Sequence, residues 1–217
     1  MKIVIQLVLW AVIVFLGYLV VQSIYGPVKF NKIKNERYAK IIVNLKDIRD
    51  AELAHKEITG KFEKDFDKLV RFIDTAQFAV TQRRDTTFLD EEYKKIYKID
   101  QYVDGVVIDT LSFVPVKDSL YGGTDRYKTM MNVPVEGVTK KFDLDAGYIT
   151  INDVKIPVFE AKVAKNDILA DLDRDLLLQE NEVVSVEGVN GRYIKVGSMT
   201  EVNTNGNWPK TYGSNDQ

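Results

Sequence analysis

The sequence IVIQLVLWAVIVFLGYLVV at residues 3–21 determines how the rest of the chain is organised. All of its residues are apolar or glycine except Gln6 and Tyr18. A helix of nineteen residues, at about 1.5 Å per residue, reaches roughly across the hydrocarbon core of a bilayer. A cleaved signal peptide has a shorter apolar region that ends at a small-x-small site, which residues 20–25 lack. We therefore predict an uncleaved transmembrane anchor over residues 1–25. The residues expected to face lipid include Ile3, Leu7, Trp10, Val14 and Leu19.

Basic residues on the C-terminal side of the anchor leave its orientation open. They are Lys29, Lys32, Lys34, Arg37 and Lys40, with Glu36 as the only acidic residue among them, whereas Lys2 is the only charged side chain before the apolar segment 3–21. The positive-inside rule, applied literally, places the large domain in the cytoplasm. A short N-terminal tail before a long β-containing domain is instead the layout of signal-anchored envelope proteins, and basic side chains beside a span also bind lipid phosphates. We expect a periplasmic domain on a bacterial inner membrane, with Lys29, Lys32 and Lys34 contacting lipid phosphates.

Length, charge and cysteine content restrict what the domain can be. The chain has 217 residues, enough for one anchor and one domain of ordinary size. Its 30 lysines and arginines nearly balance its 32 aspartates and glutamates, so no global field would attract nucleic acid. The absence of cysteine excludes disulfides, thiolate zinc sites and cysteine nucleophiles. We expect membrane lipid, other envelope proteins or copies of the chain itself as partners, and no nucleic acid.

Two helices are predicted after the anchor, in a juxtamembrane segment over residues 26–75. Gly26-Pro27 is expected to break or kink the helix where it leaves the membrane. Residues 30–57 then form a long amphipathic helix, and residues 62–73 form a shorter one. The apolar stripe of the long helix is expected to pack against a partner or another copy through Ile41, Leu45 and Ile48.

The rest of the chain alternates between β-type runs and turn residues, which predicts an antiparallel β-rich domain over residues 76–202. The predicted strands cover 105–110, 112–117, 141–151, 154–163, 183–189 and 192–199, with a turn at Asn152-Asp153. The last two strands should form a hairpin at Asn190-Gly191, because both residues tolerate the positive φ of a type I′ turn. Three further segments are a helix at 165–180, a helical turn or exposed loop at 91–97, and a turn-rich, partly disordered tail at 203–217. The predicted fold class is α+β, an antiparallel sheet with one inserted helix.

One acidic cluster has the spacing of a calcium loop. Asp171, Asp173 and Asp175 lie at i, i+2 and i+4, and Glu182 is the twelfth residue counted from Asp171. Oxygen ligands at these positions wrap a calcium ion in such loops. The sixth position, where the sharp turn needs glycine, is Leu176, so the alternative is the wet side of an amphipathic helix.

The sequence contains no recognisable catalytic constellation. His55 is the only histidine, and a position on the long helix is more typical of a packing or surface residue. Phosphate-binding, dinucleotide-binding and zinc-protease motifs are absent. We therefore expect no cofactor and no enzymatic activity.

Residues 48–62, IRDAELAHKEITGKF, followed by Leu69, are similar to the segment that precedes the sheet in type IV pilins and type II secretion pseudopilins. Those families pair an N-terminal hydrophobic helix with an amphipathic continuation. The whole chain also resembles uncharacterised single-pass proteins of bacterial envelopes. These resemblances imply a non-enzymatic structural or interaction subunit of an envelope complex, of the secretion, pilus-like or motility type. The alternative is a membrane-tethered ligand- or calcium-binding domain or an unrecognised enzyme.

Overall fold

The structure is a computed structural model that describes residues 2–213. In chain order its helices and strands are α1 (Lys2–Thr59), α2 (Phe66–Thr75), β1 (Gln77–Leu89), α3 (Glu91–Tyr97), β2 (Tyr102–Pro115), α4 (Val116–Tyr121), β3 (Asp143–Ile151), β4 (Val154–Ala164), α5 (Lys165–Ile168), α6 (Arg174–Asn181) and β5 (Tyr193–Gly197). The predicted α+β class is confirmed, since a long N-terminal helix precedes short helices and antiparallel sheets with helices between their strands. The chain divides into two units, one of Met1–Leu69 with Arg126–Gln217 and one of Val70–Asp125. The predicted segment 76–202 contributes to both.

α1 runs without interruption from the apolar segment into the first unit, so the helix does not break at Gly26-Pro27, and the kink, the other predicted alternative, stays a prediction. Proline has no N–H, so Pro27 removes one intrahelical hydrogen bond, the one to the carbonyl of Ser23. The hydrogen-bond ladder continues on both sides, because helix propagation is cooperative once several turns have formed. The amphipathic helix predicted at 30–57 is therefore the second part of α1.

An antiparallel sheet in the order β3-β4-β5 forms the core of the first unit together with α1. β3 and β4 pair from Asp143 opposite Lys162 to Ile151 opposite Val154. Their hairpin turns at the predicted Asn152-Asp153, with φ values of 49° and 64°. β4 and β5 contact α1, so the helix buries its apolar stripe against the chain's own sheet.

The predicted hairpin over residues 183–199 is wrong. β5 pairs with β4 instead, and residues 183–189 are not a strand. At Asn190-Gly191 only the glycine has a positive φ, of 79°, so the turn is not type I′. The Asn190 side chain accepts a hydrogen bond from the backbone N–H of Ser185, which closes a local loop.

The helix predicted at 165–180 is two helices, α5 and α6. Asp173 caps the second one, because its side chain accepts hydrogen bonds from the backbone N–H groups of Asp175 and Leu176. Such a cap satisfies the first free donors of a helix and starts a new one. Residues 91–97 form α3, one of the two predicted alternatives, with an aspartate cap of the same kind.

In the second unit β1 and β2 form a two-stranded antiparallel ribbon. β1 has no counterpart in the sequence analysis, and β2 merges the strands predicted at 105–110 and 112–117. The register shifts between Val80 and Thr81, where Leu111 is the extra residue of a β-bulge. A bulge bends a strand without ending it, so β2 continues through the predicted gap.

Part of the predicted tail at 203–217 is packed, since residues 204–209 and Tyr212 are buried or half-buried. Gly206 makes an isolated antiparallel bridge to Val196, and Trp208 is buried. The Tyr212 hydroxyl donates to the side-chain oxygen of Asn35 on α1 at 2.9 Å. Residues 214–217 lie outside the described residues, so the prediction of disorder is untested there.

Candidate functional site

The first part of α1 is an apolar helix with no packing partner among the described residues. Its most apolar 18-residue window has a mean hydropathy of 2.7, and none of that window is buried. A core helix of this composition would bury it. The five predicted lipid-facing residues, Ile3, Leu7, Trp10, Val14 and Leu19, are all exposed. Among the described residues this is the one helix long and apolar enough to cross a membrane, which is consistent with a single-pass anchor.

The junction between this apolar part and the first unit is the candidate site. Phe30 is the first buried residue of α1, and from it the helix passes into the core. Two grooves of about 220 Å³ each lie where α6 and the loop before it meet residues 26–33 of α1. One is lined by Gly26, Lys29, Phe30, Ile33, Asp171, Leu172 and Asp173, and the other by Pro27, Phe30, Asn31, Leu176, Gln179, Glu180 and Val183.

Arg37 clamps α1 to the segment between α5 and α6. Its Nη1 and Nη2 atoms donate to the two carboxylate oxygens of Asp171 at 2.5 and 2.7 Å, and Nη1 also donates to the Ile168 carbonyl at 2.7 Å. This paired geometry is the strong form of an arginine–carboxylate contact. The hydrogen bond from Arg37 lowers the pKa of Asp171, and the same bond raises the pKa of Arg37.

A buried charge network lies just beyond the clamp and is centred on Glu180 of α6. Lys34 of α1 donates to its Oε2 at 2.8 Å, and the Tyr38 hydroxyl donates to its Oε1 at 3.2 Å. Lys165, which is fully buried, donates to Oε1 at 3.1 Å, to the Glu180 carbonyl at 2.8 Å and to the Val189 carbonyl at 2.7 Å. The two ammonium groups thus compensate one buried carboxylate.

The surroundings of this network change the acidity of its members. Burial lowers the pKa of Lys165, although the charge of Glu180 opposes that effect. Burial and the negative charge of Glu180 together raise the pKa of Tyr38, which keeps its hydroxyl protonated and donating. The network therefore joins α1 to α6 and to the loop after α6 through hydrogen bonds shielded from water.

The apolar stripe predicted to bind a partner is not available to one. Ile41, Leu45 and Ile48 each have 0% exposure, because they pack inside the first unit. The sequence pattern is the same whether a helix packs on its own sheet or on another chain, and here the sheet of the same chain occupies the face. This corrects the predicted helix-packing interface.

Only part of the predicted lipid-phosphate set is free. Lys29 and Lys32 are exposed, as the prediction requires. The Lys34 side chain is only 15% exposed and is bound to Glu180, so it is corrected to a structural residue. Its ammonium is held by a buried carboxylate, which is a better-placed partner than a mobile headgroup.

The four calcium candidates do not form a ligand set. Asp171 is held by Arg37, Asp173 caps α6, Asp175 is in the first turn of that helix, and Glu182 follows its end. Within residues 2–213 no group of three or more acidic, histidine or cysteine side chains is placed to hold a metal ion. Asp173 and Asp175 have the i, i+2 spacing because one is the N-cap of α6 and the other is in its first turn.

Two buried titratable residues lie farther along α1. The Nδ1 atom of His55 is 2.7 Å from the Lys61 carbonyl, in a contact that joins the end of α1 to the following turn. Glu52 has 0% exposure, and its Oε2 accepts from the backbone N–H of Glu63 at 3.0 Å. Burial raises the pKa of Glu52 to about 8. Sequence analysis missed this residue, although its position could have found it: Glu52 lies four residues after Ile48 and seven after Leu45, on the continuation of the apolar stripe.

Comparison with protein-family models, with curated proteins and with solved structures finds no match. The pilin-like resemblance of residues 48–62 therefore stays a prediction. The fold and the junction define a class only. It is an α+β protein whose N-terminal helix is apolar and exposed in its first part and buried in its own core in its second part.

Proposed function

We propose that this protein is a non-enzymatic, single-pass subunit of a bacterial envelope complex, of the secretion, pilus-like or motility type. The observation that carries the proposal is the continuity of α1, which is one helix from the apolar segment to the core. A tethered enzyme needs only a flexible linker, whereas a structural subunit needs its domain held at a defined place relative to the membrane. The contacts of Lys34 and Arg37 support such a fixed position.

A loop after α6 extends the proposal to the membrane surface. Val184 and Val186 are 92% and 94% exposed, although valine is ordinarily among the most buried residues. The neighbouring Val183 lines a groove with Pro27, close to where α1 leaves its apolar part. We infer that these two valines contact lipid together with Lys29 and Lys32, and that the domain lies on the periplasmic side of the inner membrane.

Membrane contact by this loop predicts a clear spectroscopic difference between two positions. The chain has no cysteine, so Val184→Cys can be labelled at one site with an environment-sensitive fluorophore. After reconstitution in vesicles we expect a blue-shifted emission that nitroxide lipids quench at least two-fold, because the probe enters the headgroup region. Fluorescence with and without nitroxide lipid measures this.

Glu57→Cys is the matched control for the loop experiment. Glu57 is an exposed residue of α1. It lies thirty residues after Pro27 on that helix, which at about 1.5 Å per residue is roughly 45 Å. Its probe should stay in water and should not be quenched. Equal quenching at both positions, or none at Val184→Cys, would contradict lipid contact.

Labelling of Glu57→Cys in intact spheroplasts by an impermeant maleimide is expected if the domain is periplasmic.

The proposed function itself is tested by purification of the tagged full-length protein from native membranes in mild detergent. We expect at least one envelope protein to accompany it in fixed stoichiometry, since an interaction subunit is isolated with its complex. The amounts are measured by quantitative mass spectrometry against an untagged strain. A monomer with no stoichiometric companion would count against the proposal.

A further inference from the structure

The outer edge of β1 is an open binding edge. β1 and β2 have 13 and 14 residues, about twice the usual strand length of 5–6 residues. Within residues 2–213 they pair only with each other, and every residue of β1 from position 79 to position 88 is exposed. A two-stranded ribbon is only marginally stable in water without further packing. A third strand on the β1 edge would satisfy its free N–H and C=O groups.

Symmetry limits how β1 can pair with β1 of a second copy. A two-fold antiparallel pair brings residues i and j opposite each other with i + j constant. Side chains directly opposite each other point to the same face of the sheet, so i and j must both be odd or both be even. The two-fold axis therefore lies midway between a residue of one copy and the same residue of the other copy. That residue is the centre of the register.

Only one such register makes the charges of β1 complementary. With the axis at Arg84, Arg83 of each copy lies opposite Asp85 of the other. The remaining opposed pairs are Val80 with Phe88, Thr81 with Thr87, Gln82 with Thr86, and Ala79 with Leu89. Opposite charges and pairs of threonine or of aromatic with β-branched side chains are favourable across strands. An axis at Arg83 or at Asp85 produces no pair of opposite charges.

The central arginine does not disturb this register. Arg84 Nη2 donates to the Asp109 carboxylate of β2 in the same chain. Two Arg84 side chains that meet at the axis are therefore each neutralised on the side away from the axis. Charges in the middle of an edge strand normally deter pairing with other chains. In β1 these charges disfavour pairing with any strand whose charges are not in the complementary order. The edge of β1 is therefore selective for a second copy of its own sequence.

We propose that β1 pairs antiparallel with β1 of a second copy, in the register centred on Arg84. The pairing joins two ribbons into one four-stranded sheet. It rests on the proposed function, since it names a second copy as one partner of the envelope subunit. Anchoring in one bilayer raises the local concentration of the two copies and favours a weak edge contact.

Disulfide cross-linking in native membranes tests the register. Residues directly opposite each other in an antiparallel pair have Cα atoms about 4.5–5.5 Å apart, which is within the range of a disulfide. Arg84→Cys, in a chain with no other cysteine, should therefore form a covalent dimer on mild oxidation. Thr87→Cys is the matched control on the same exposed strand, because its equivalent in the second copy lies about 20 Å away along the strand. We expect at least five-fold more dimer for Arg84→Cys on a non-reducing gel.

Charge reversal separates specific pairing from random collision. Adding Arg83→Asp to the Arg84→Cys chain places like charges opposite each other twice, and the dimer band should fall at least three-fold. The exchange Arg83→Asp with Asp85→Arg restores opposite charges and should restore the band. All three positions are exposed, so these variants leave buried packing unchanged.

Three results would overturn the self-pairing. They are equal cross-linking at positions 84 and 87, no dimer at either position, and a dimer that is insensitive to charge reversal. The purification from native membranes distinguishes this failure from failure of the proposed function. If envelope proteins co-purify with the chain but no cross-link forms, a second copy is not a partner. If the cross-link forms but no envelope protein co-purifies, the result supports self-pairing and counts against a larger complex.

Discussion

Lys165→Met is expected to destabilise the first unit by about 3–5 kcal/mol, because three buried acceptors lose a hydrogen bond and each unsatisfied buried acceptor costs about 1–3 kcal/mol. The methionine fills similar space but donates nothing, so the Glu180 and Val189 carbonyls each lose a buried hydrogen bond. The Glu180 carboxylate also keeps only the charge of Lys34. In detergent we expect a fall in Tm of about 10 °C, measured by the change in tryptophan fluorescence on unfolding, to which Trp208 contributes because it is buried in the folded protein.

A solvent-exposed ion pair between a lysine and an aspartate is the control for Lys165→Met. Lys140 binds Asp167 at 2.7 Å, but the two side chains are 59% and 31% exposed. Lys140→Met should therefore cost no more than about 1 kcal/mol. Lys165→Met combined with Glu180→Gln should cost less than the sum of the two single variants, because both remove the same hydrogen bond between Lys165 and the Glu180 side chain and the double variant loses it only once. A strictly additive result would show that the network does not act as a unit.

Glu52→Gln is expected to change how stability depends on pH. Burial raises the pKa of Glu52 from 4.5 to about 8, so the folded state binds a proton that the unfolded chain releases. The stabilisation by the neutral carboxyl is complete below about pH 4.5 and is lost as the pH rises through about 8. The whole loss is roughly 4–5 kcal/mol. Glu52→Gln, which cannot ionise, should match the wild type near pH 5 and exceed its Tm by about 10 °C at pH 9.

Glu57→Gln is the matched control for the pH experiment. Glu57 is exposed on the same helix, so its replacement should leave the difference between the two pH values as in the wild type. Thermal unfolding in one detergent across a pH series measures all three proteins. If Glu52→Gln and the wild type lose stability in parallel between pH 5 and pH 9, Glu52 is not the titrating group.

Local patterns predicted several elements correctly. The apolar segment 3–21, the fold class, the Asn152-Asp153 hairpin and the second short helix follow from composition, periodicity and turn preference. These features depend on residues close in sequence, and the physical rules for them act over a few residues. Of the two alternatives predicted at Pro27, the break does not occur, because one proline weakens a helix locally but the flanking turns decide whether it continues.

Pairing between distant segments could not be predicted in the same way. Residues 193–197 alternate as a strand, but the identity of their partner depends on β4 and not on the nearby Asn190-Gly191. β1 contains Arg83, Arg84 and Asp85 and does not have the alternation of a half-buried strand, because neither of its faces is buried. Its pairing with β2 is what makes it a strand.

The sequence alone therefore determined that this chain has an apolar N-terminal helix long enough to span a membrane, followed by an α+β part. Those properties come from hydrophobicity and from local backbone preference. Only the tertiary structure decided which partners the side chains meet. Ile41, Leu45 and Ile48 pack in the core of the first unit, Lys34 binds Glu180, and Glu52 is buried with no charge partner among residues 2–213. Burial and long-range contact are properties of the packed chain, so a helical pattern cannot show whether its apolar face is filled from within or from outside.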